Sequence, residues 1–406
     1  MGQFIINGGQ RLNGEIYVSG SKNAALPLIF ASISAPGTSI FTNVPDISDV
    51  DIAFDIIRGM GAVVHRDGSI AVIDTQNLNY RLPSEEQVSK IRASSYLIGA
   101  CLARFGRAEI QRFGGCNFDS RPIDMHISAA LALGARIDGN ELVADRLRGA
   151  DIRFEKISVG ATVNAIIMTA SAQGKSRIYG YAREPHVISL IDYLRASGAK
   201  ICLCDEYIEV CGASLSGADA KIIPDMIEAG SYLALSLMTE SDLRVYGADF
   251  GQLESFLEPL ICSGAVVEYD NASVTVCGTL TEPMNVITAP YPSFPTDLQP
   301  QTAPLLARFF GGRITEGVWH NRFGYLSELA KFGIAYNAYD GYSDILPSKI
   351  RPAYATAPDL RGGMSLVIAA LACTGESIIS GAELIKRGYA DIVGKLRRIG
   401  ADIMEK

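Results

Sequence analysis

The chain has 406 residues, 48% of them hydrophobic, enough for sizeable cores in two or three domains and too many for a disordered or fibrous protein. With 36 Lys and Arg against 44 Asp and Glu, the net charge of -8 argues against a general affinity for nucleic acid or anionic lipid. Any basic site must be local.

Residues 1–14 lack the charged-then-apolar order of a signal peptide. The longest uncharged run, 23–45, is broken by Pro27, Pro36 and Gly37 and falls short of a membrane span. Eight cysteines without a CxxC, and four His (His65, His126, His186, His320) never paired at ligand spacing, predict reduced thiols and no metal site. A soluble, cytoplasmic protein is expected, with neither membrane insertion nor an obligatory protein partner.

The first twenty residues carry a strand pattern ahead of any helix, which suits pairing with the far end of the chain. Six uncharged segments rich in small residues follow, at 23–36, 93–102, 161–173, 229–239, 298–307 and 362–374. A helix apolar on every side must be buried on every side. Each segment is followed by a turn (Gly37-Thr38, Gly106-Arg107, Gly174-Lys175, Thr239-Glu240, Gly311-Gly312, Gly375-Glu376) and an alternating strand. An amphipathic stretch comes next, such as 49–60, 185–197 or 389–399, which suits a surface helix.

Each unit closes on a glycine dipeptide: Gly61-Ala62, Gly134-Ala135, Gly198-Ala199, Gly264-Ala265, Gly333-Ile334 and Gly400-Ala401, at intervals of 64 to 73 residues. Two marks in one register define six βαβαββ modules. Six buried helices exceed one ordinary core, so the modules divide into two α/β domains of three, 21–222 and 1–20 plus 223–406, crossing near Lys221–Pro224. A cleft between them is the default ligand site.

No GxGxxG, P-loop or metal cluster is present, so no cofactor is expected. Cations stand instead at the heads of uncharged helices: Lys22 in Ser21-Lys22-Asn23, Arg92 before Ala93-Ser94, and Arg361 in Asp359-Leu360-Arg361. Free N-H groups and the helix dipole favour an anion there. The glycine-rich stretch Gly114-Gly115-Cys116, with Arg121 close by, suits a reactive thiol. The proline-rich segment 290–300 presents Asp297 ahead of the fifth buried helix, where capping that helix is the competing account. Lys386-Arg387-Gly388-Tyr389 adds one more cation.

These motifs, with Ile91-Arg92-Ala93-Ser94, Arg121-Pro122-Ile123-Asp124, Lys156-Ile157-Ser158-Val159-Gly160, Ala182-Arg183-Glu184-Pro185, Phe294-Pro295-Thr296-Asp297 and Asn321-Arg322-Phe323, occur along the whole chain. The sequence resembles the enolpyruvyl transferase family, and within it the members that act on UDP-N-acetylglucosamine. The resemblance implies two inside-out α/β domains, each of three βαβαββ repeats around buried helices. It implies transfer of the enolpyruvyl group of phosphoenolpyruvate to the sugar 3'-hydroxyl with phosphate release, the first committed step of peptidoglycan synthesis.

It also implies roles. Lys22, Arg92, Arg121, Arg361 and Arg387 would surround phosphoenolpyruvate. Cys116 would act in protonation at C3 and be the target of the epoxide fosfomycin, while Asp297 would take the proton of the attacking hydroxyl. Asn23, Arg92, Arg121, Pro122, Ile123, Asp124 and Met125 would hold the nucleotide sugar. Lys156, Ser158, Val159, Gly160, Asp297 and Val318 would complete its site, and Arg322 and Asp359 are further family active-site positions. The run Asn117-Phe118-Asp119-Ser120 departs from the small residue and Gly usual after the cysteine. Alternative readings are transfer to another uridine nucleotide or to shikimate 3-phosphate, and a non-catalytic UDP-N-acetylglucosamine-binding paralogue.

Overall fold

In a computed structural model that describes residues 2–81, 83–110 and 122–406, every uncharged segment contains a buried helix. The chain divides into a continuous unit, Gly20–Ile223, and a discontinuous unit, Met1–Ser19 with Pro224–Lys406. The buried helices of the continuous unit are Lys22–Ala31, Leu97–Phe105 and Val159–Ser171. Those of the discontinuous unit are Met226–Met238, Gln299–Arg308 and Leu360–Ala372.

Ala161 through Ala170 is buried without interruption. The hydroxyls within such helices are satisfied by their own backbone: Thr169 Oγ1 donates to Ala165 O at 2.7 Å, Ser231 Oγ to Ile227 O at 2.7 Å and Thr302 Oγ1 to Leu298 O at 2.9 Å. That local bonding lets a helix with polar residues be enclosed all round.

The glycine marks are backbone requirements. Gly61, Gly134, Gly198, Gly264, Gly333 and Gly400 all lie at φ between 88° and 115°, the left-handed region that ends a helix and that glycine enters without strain. The midway turns do the same at Gly37, Gly106, Gly174, Gly311 and Gly375, with Glu240 at φ 51° serving the fourth module.

The third module shows the pattern. Asp151–Arg153 pairs in parallel with Lys175–Tyr179, which is antiparallel to Tyr207–Cys211, itself antiparallel to Lys200–Leu203. Distant segments complete other sheets. Ala220–Lys221 supplies the parallel strand beside Thr38–Thr42, and Asn13–Tyr17 does so beside Asp242–Tyr246. Gln3–Gly8 inserts between Gly375–Ser380 and Asp402–Glu405, so the first residues do pair with the far end of the chain. In the discontinuous unit the three buried helices pack on one another.

Two expected boundaries shift. The second buried helix is preceded by a 3-10 turn, Arg92–Tyr96. In the sixth module the stretch 389–399 is not one surface helix: a helix Ala382–Lys386 ends before Gly388, and another runs Ile392–Arg398. The break falls at Asp391, whose backbone takes the left-handed conformation at φ 47° just ahead of Ile392, while Tyr389 before it is buried in the core. No helix among the described residues is long and apolar enough to cross a membrane.

Candidate active site

In the discontinuous unit, Asp297 lies in a 3-10 turn, Thr296–Leu298, ahead of the helix Gln299–Arg308. It does not cap that helix: the N-cap is Leu298, with no side-chain bond. Its carboxylate is gripped instead by two arginines. Arg322 Nη1 donates to Oδ1 at 2.8 Å and Arg361 Nε to Oδ2 at 3.2 Å. The arginine side chains are 5% and 2% exposed against 30% for Asp297, so the carboxylate faces outward from a buried cationic wall.

Burial works against the charge of both guanidinium groups, and facing groups more than offset it. Asp297 and Asp359 raise the pKa of Arg322, while Tyr389, Asp297 and Asp225 raise that of Arg361. Arg361 Nη1 and Nη2 are buried with no hydrogen-bond partner among the described residues. Buried donors in that condition are costly unless an acceptor arrives.

Asp359 caps the sixth buried helix, its Oδ1 accepting from Arg361 N at 2.9 Å and Gly362 N at 3.0 Å. A Cβ on Gly388 would lie 2.8 Å from Leu360 Cδ2, so the turn carrying Arg387 lies against the residue between Asp359 and Arg361. Glu316, 1% exposed, ties the cluster to Val318. Its Oε1 accepts from Val318 N at 2.9 Å and Thr288 Oγ1 at 2.6 Å, and its Oε2 accepts from Thr296 Oγ1 at 2.9 Å. Thr296 Oγ1 in turn accepts from Arg322 Nη1 at 3.0 Å.

In the continuous unit, Lys22 is the first residue of its helix, followed by Asn23, and its Nζ lies 3.5 Å from Oδ2 of the buried Asp49. That helix packs against the turn that opens on Arg92. The side chain of Ser158 caps the helix Val159–Ser171 by accepting from Ala161 N at 3.3 Å, which places Val159 and Gly160 in its first turn; Lys156 stands exposed just ahead. Pro122 and Ile123 lead into the helix that begins at Asp124 and Met125.

Between these elements lies His126, 4% exposed. Asn164 fixes it. Asn164 Oδ1 accepts from Gly99 N at 2.6 Å and its Nδ2 donates to Ser95 O at 3.0 Å, so the same Nδ2 is the donor to His126 Nδ1 at 2.7 Å. The imidazole is therefore neutral, with its proton on Nε2. Burial first, then the nearby charge of Arg92, push its pKa down to about 4, opposed by Asp124. A Cβ on Gly160 would lie 3.1 Å from His126 Cε1, so the glycine lets the first turn of the helix close on the ring.

Asp297, Arg322, Asp359 and Arg361 thus form one cluster, with Arg387 alongside and Val318 joined through Glu316. Arg92, Asp124 and Gly160 gather around His126, with Lys22 on a neighbouring helix. Cys116 and Arg121 lie outside the described residues. Sequence reasoning did not select Glu316, Tyr389, His126 or Asn164, because each reads there as an ordinary polar or aromatic interruption of an apolar pattern.

Modules of this βαβαββ form, with arginines at buried helix entrances and a carboxylate clamped between one of them, Arg361, and the turn residue Arg322, suit an enolpyruvyl transferase. Residues 6–396 match the family described as EPSP synthase (3-phosphoshikimate 1-carboxyvinyltransferase). The chain belongs to that family. Curated relatives include the UDP-N-acetylglucosamine 1-carboxyvinyltransferase of Halothermothrix orenii, 39% identical with 99% of each chain covered. They also include UDP-N-acetylglucosamine 1-carboxyvinyltransferase 3 of Caldanaerobacter subterraneus, 40% identical over 100% of this chain and 99% of the relative. Among solved structures, the enolpyruvyl transferase NikO from Streptomyces tendae superposes with a TM-score of 0.88 at 26% identity, covering 100% of this chain and 99% of NikO. An EPSP synthase from Acinetobacter baumannii, at 18% identity and a TM-score of 0.75 with 100% of both chains covered, shares the fold.

Proposed function

We propose that this protein transfers the enolpyruvyl group of phosphoenolpyruvate to the 3'-hydroxyl of UDP-N-acetylglucosamine, releasing phosphate, as the first committed step of peptidoglycan synthesis in the cytoplasm. The observation that carries the reading is the Asp297 clamp: an outward carboxylate held by Arg322 and Arg361, beside two buried guanidinium nitrogens of Arg361 that lack a hydrogen-bond partner among the described residues. A phosphate or carboxylate supplies the acceptors those nitrogens need. Full-length relatives named for the UDP-N-acetylglucosamine reaction support this acceptor over shikimate 3-phosphate.

Asp297 accepts the proton of the 3'-hydroxyl as its oxygen bonds to C2 of phosphoenolpyruvate, while C3 gains a proton from Cys116. The resulting tetrahedral ketal gives a C3 proton back to the Cys116 thiolate as the C2–O bond to phosphate breaks and phosphate leaves, restoring the double bond. Lys22, Arg92, Arg121, Arg361 and Arg387 neutralise the phosphate and carboxylate. Asn23, the stretch from Arg121 to Met125, Lys156, Ser158, Val159, Gly160 and Val318 hold the nucleotide sugar. The reaction needs no cofactor, since addition at C2 and loss of phosphate are assisted by proton transfers to and from this chain's own side chains.

The test is phosphate release from phosphoenolpyruvate with UDP-N-acetylglucosamine, another uridine nucleotide or shikimate 3-phosphate as acceptor. Release with the first alone is expected; release only with another acceptor replaces the reading. Cys116→Asp is expected to stay active and resist fosfomycin, because a carboxylic acid still donates a proton and leaves no thiolate to alkylate. Complete inactivation of that variant by the drug refutes this role for the thiol.

A further inference from the structure

We propose that Tyr389 is the positioning residue for Arg361, and that with Ser231 and Gln301 it sets the angle at which this guanidinium meets Asp297 and an incoming anion. The inference rests on the enolpyruvyl-transfer reading for the identity of that anion. Tyr389 is fully buried, two positions beyond Arg387. Its ring centroid lies 5.4 Å from Arg361 Cζ, within the range of a cation–π contact. Arg361 commits Nε to Asp297 while Nη1 and Nη2 have no hydrogen-bond partner among the described residues, so the ring is a principal restraint on rotation of the planar head.

The hydroxyl end of the tyrosine is fixed by a one-way chain of hydrogen bonds. Ser231 Oγ donates its only proton to Ile227 O at 2.7 Å, so in its 2.8 Å bond to Tyr389 it is the acceptor. Tyr389 therefore donates to Ser231 and accepts from Gln301 Nε2 at 3.0 Å; the same Nε2 lies 3.2 Å from Ser231 Oγ. The phenolic proton is thus committed inside the core, which makes Tyr389 an orienting group and not a proton donor to substrate. Ser231 and Gln301 belong to two of the three buried helices and Arg361 to the third. An aromatic ring anchored on two helices aims an arginine carried by the other.

Tyr389→Phe keeps the ring and frees its hydroxyl anchor, while Tyr389→Leu removes the ring face. Steady-state phosphate release is measured with each substrate varied in turn, alongside thermal denaturation. The KM for phosphoenolpyruvate is expected to rise about tenfold in the Phe variant and about a hundredfold in the Leu variant, with the KM for UDP-N-acetylglucosamine unchanged. An unchanged KM for phosphoenolpyruvate in the folded Phe variant overturns the proposal, as does a parallel rise in both KM values that tracks a lowered Tm, the mark of a merely structural residue. Should the wild-type protein release no phosphate, the enolpyruvyl reading fails by itself. Calorimetric binding of inorganic phosphate to wild type and Tyr389→Phe then decides: weaker binding by the variant supports the positioning role and equal binding refutes it.

Discussion

The two units organise their candidate residues by opposite means. The discontinuous unit uses charge: Asp297 sits between Arg322 and Arg361, and elsewhere the buried Glu228 pairs with Lys395, both also bonded to Ser19. The continuous unit uses a neutral knot, in which Asn164 joins Gly99, Ser95 and His126. A charged cluster keeps its geometry only while its partners are present. An amide–imidazole knot keeps its geometry only while the imidazole stays neutral. The first unit should accordingly fail on loss of charge and the second on gain of a proton.

The sharpest test removes the charge at the centre of the clamp. Asp297→Asn is expected to lower kcat by about three orders of magnitude in the phosphate-release assay, since it takes away the base and leaves two buried guanidinium groups facing an amide. Next, Glu228→Gln strands the buried Lys395, a loss of about 3–5 kcal/mol. Chemical denaturation should show this, and the double variant Glu228→Gln with Lys395→Met should recover part of it.

The pH response separates the units. His126 has its pKa depressed from 6.5 to about 4, so the folded protein refuses a proton that the unfolded chain accepts. Its contribution is complete above pH 6.5 and is lost as pH falls toward 4, amounting to about 3 kcal/mol. The acid limb of Tm against pH should flatten in His126→Asn, whose amide oxygen can still accept from Asn164. The smallest effect is expected of Gly160→Ala, where the new methyl presses on His126: roughly 1 kcal/mol of stability, with a rise in the KM for UDP-N-acetylglucosamine alone. If Gly160→Ala also moves the KM for phosphoenolpyruvate, the assignment of that turn to the nucleotide sugar is wrong.

Much of the fold was legible because its punctuation is covalent in origin. A glycine needed at positive φ leaves a mark in the sequence, and the six closing glycines and uncharged helices gave the modules and the buried layer directly. Tyr389 shows the limit. It fits the apolar face of a surface helix by spacing, and only packing against Ser231 and Gln301 shows that it turns inward. The two accounts of Asp297 differ by a side-chain direction that spacing does not encode: its carboxylate bonds to Arg361 and Arg322, 64 and 25 residues away in the chain, and not to the helix that follows. Asn164 was hidden for the same reason: in an uncharged helix it reads as one small polar residue among many, although its bonds reach 65 and 38 positions back.

The strand Gln3–Gly8 is bonded on one side to Gly375–Ser380 and on the other to Asp402–Glu405. During synthesis it leaves the ribosome hundreds of residues before either neighbour. The continuous unit can therefore finish folding while this strand waits, edges open, for hundreds of residues to be added. Translation speed and chaperone access across that interval become determinants of yield, and a nascent chain stalled before residue 375 should hold one folded half attached to a strand with nowhere to dock.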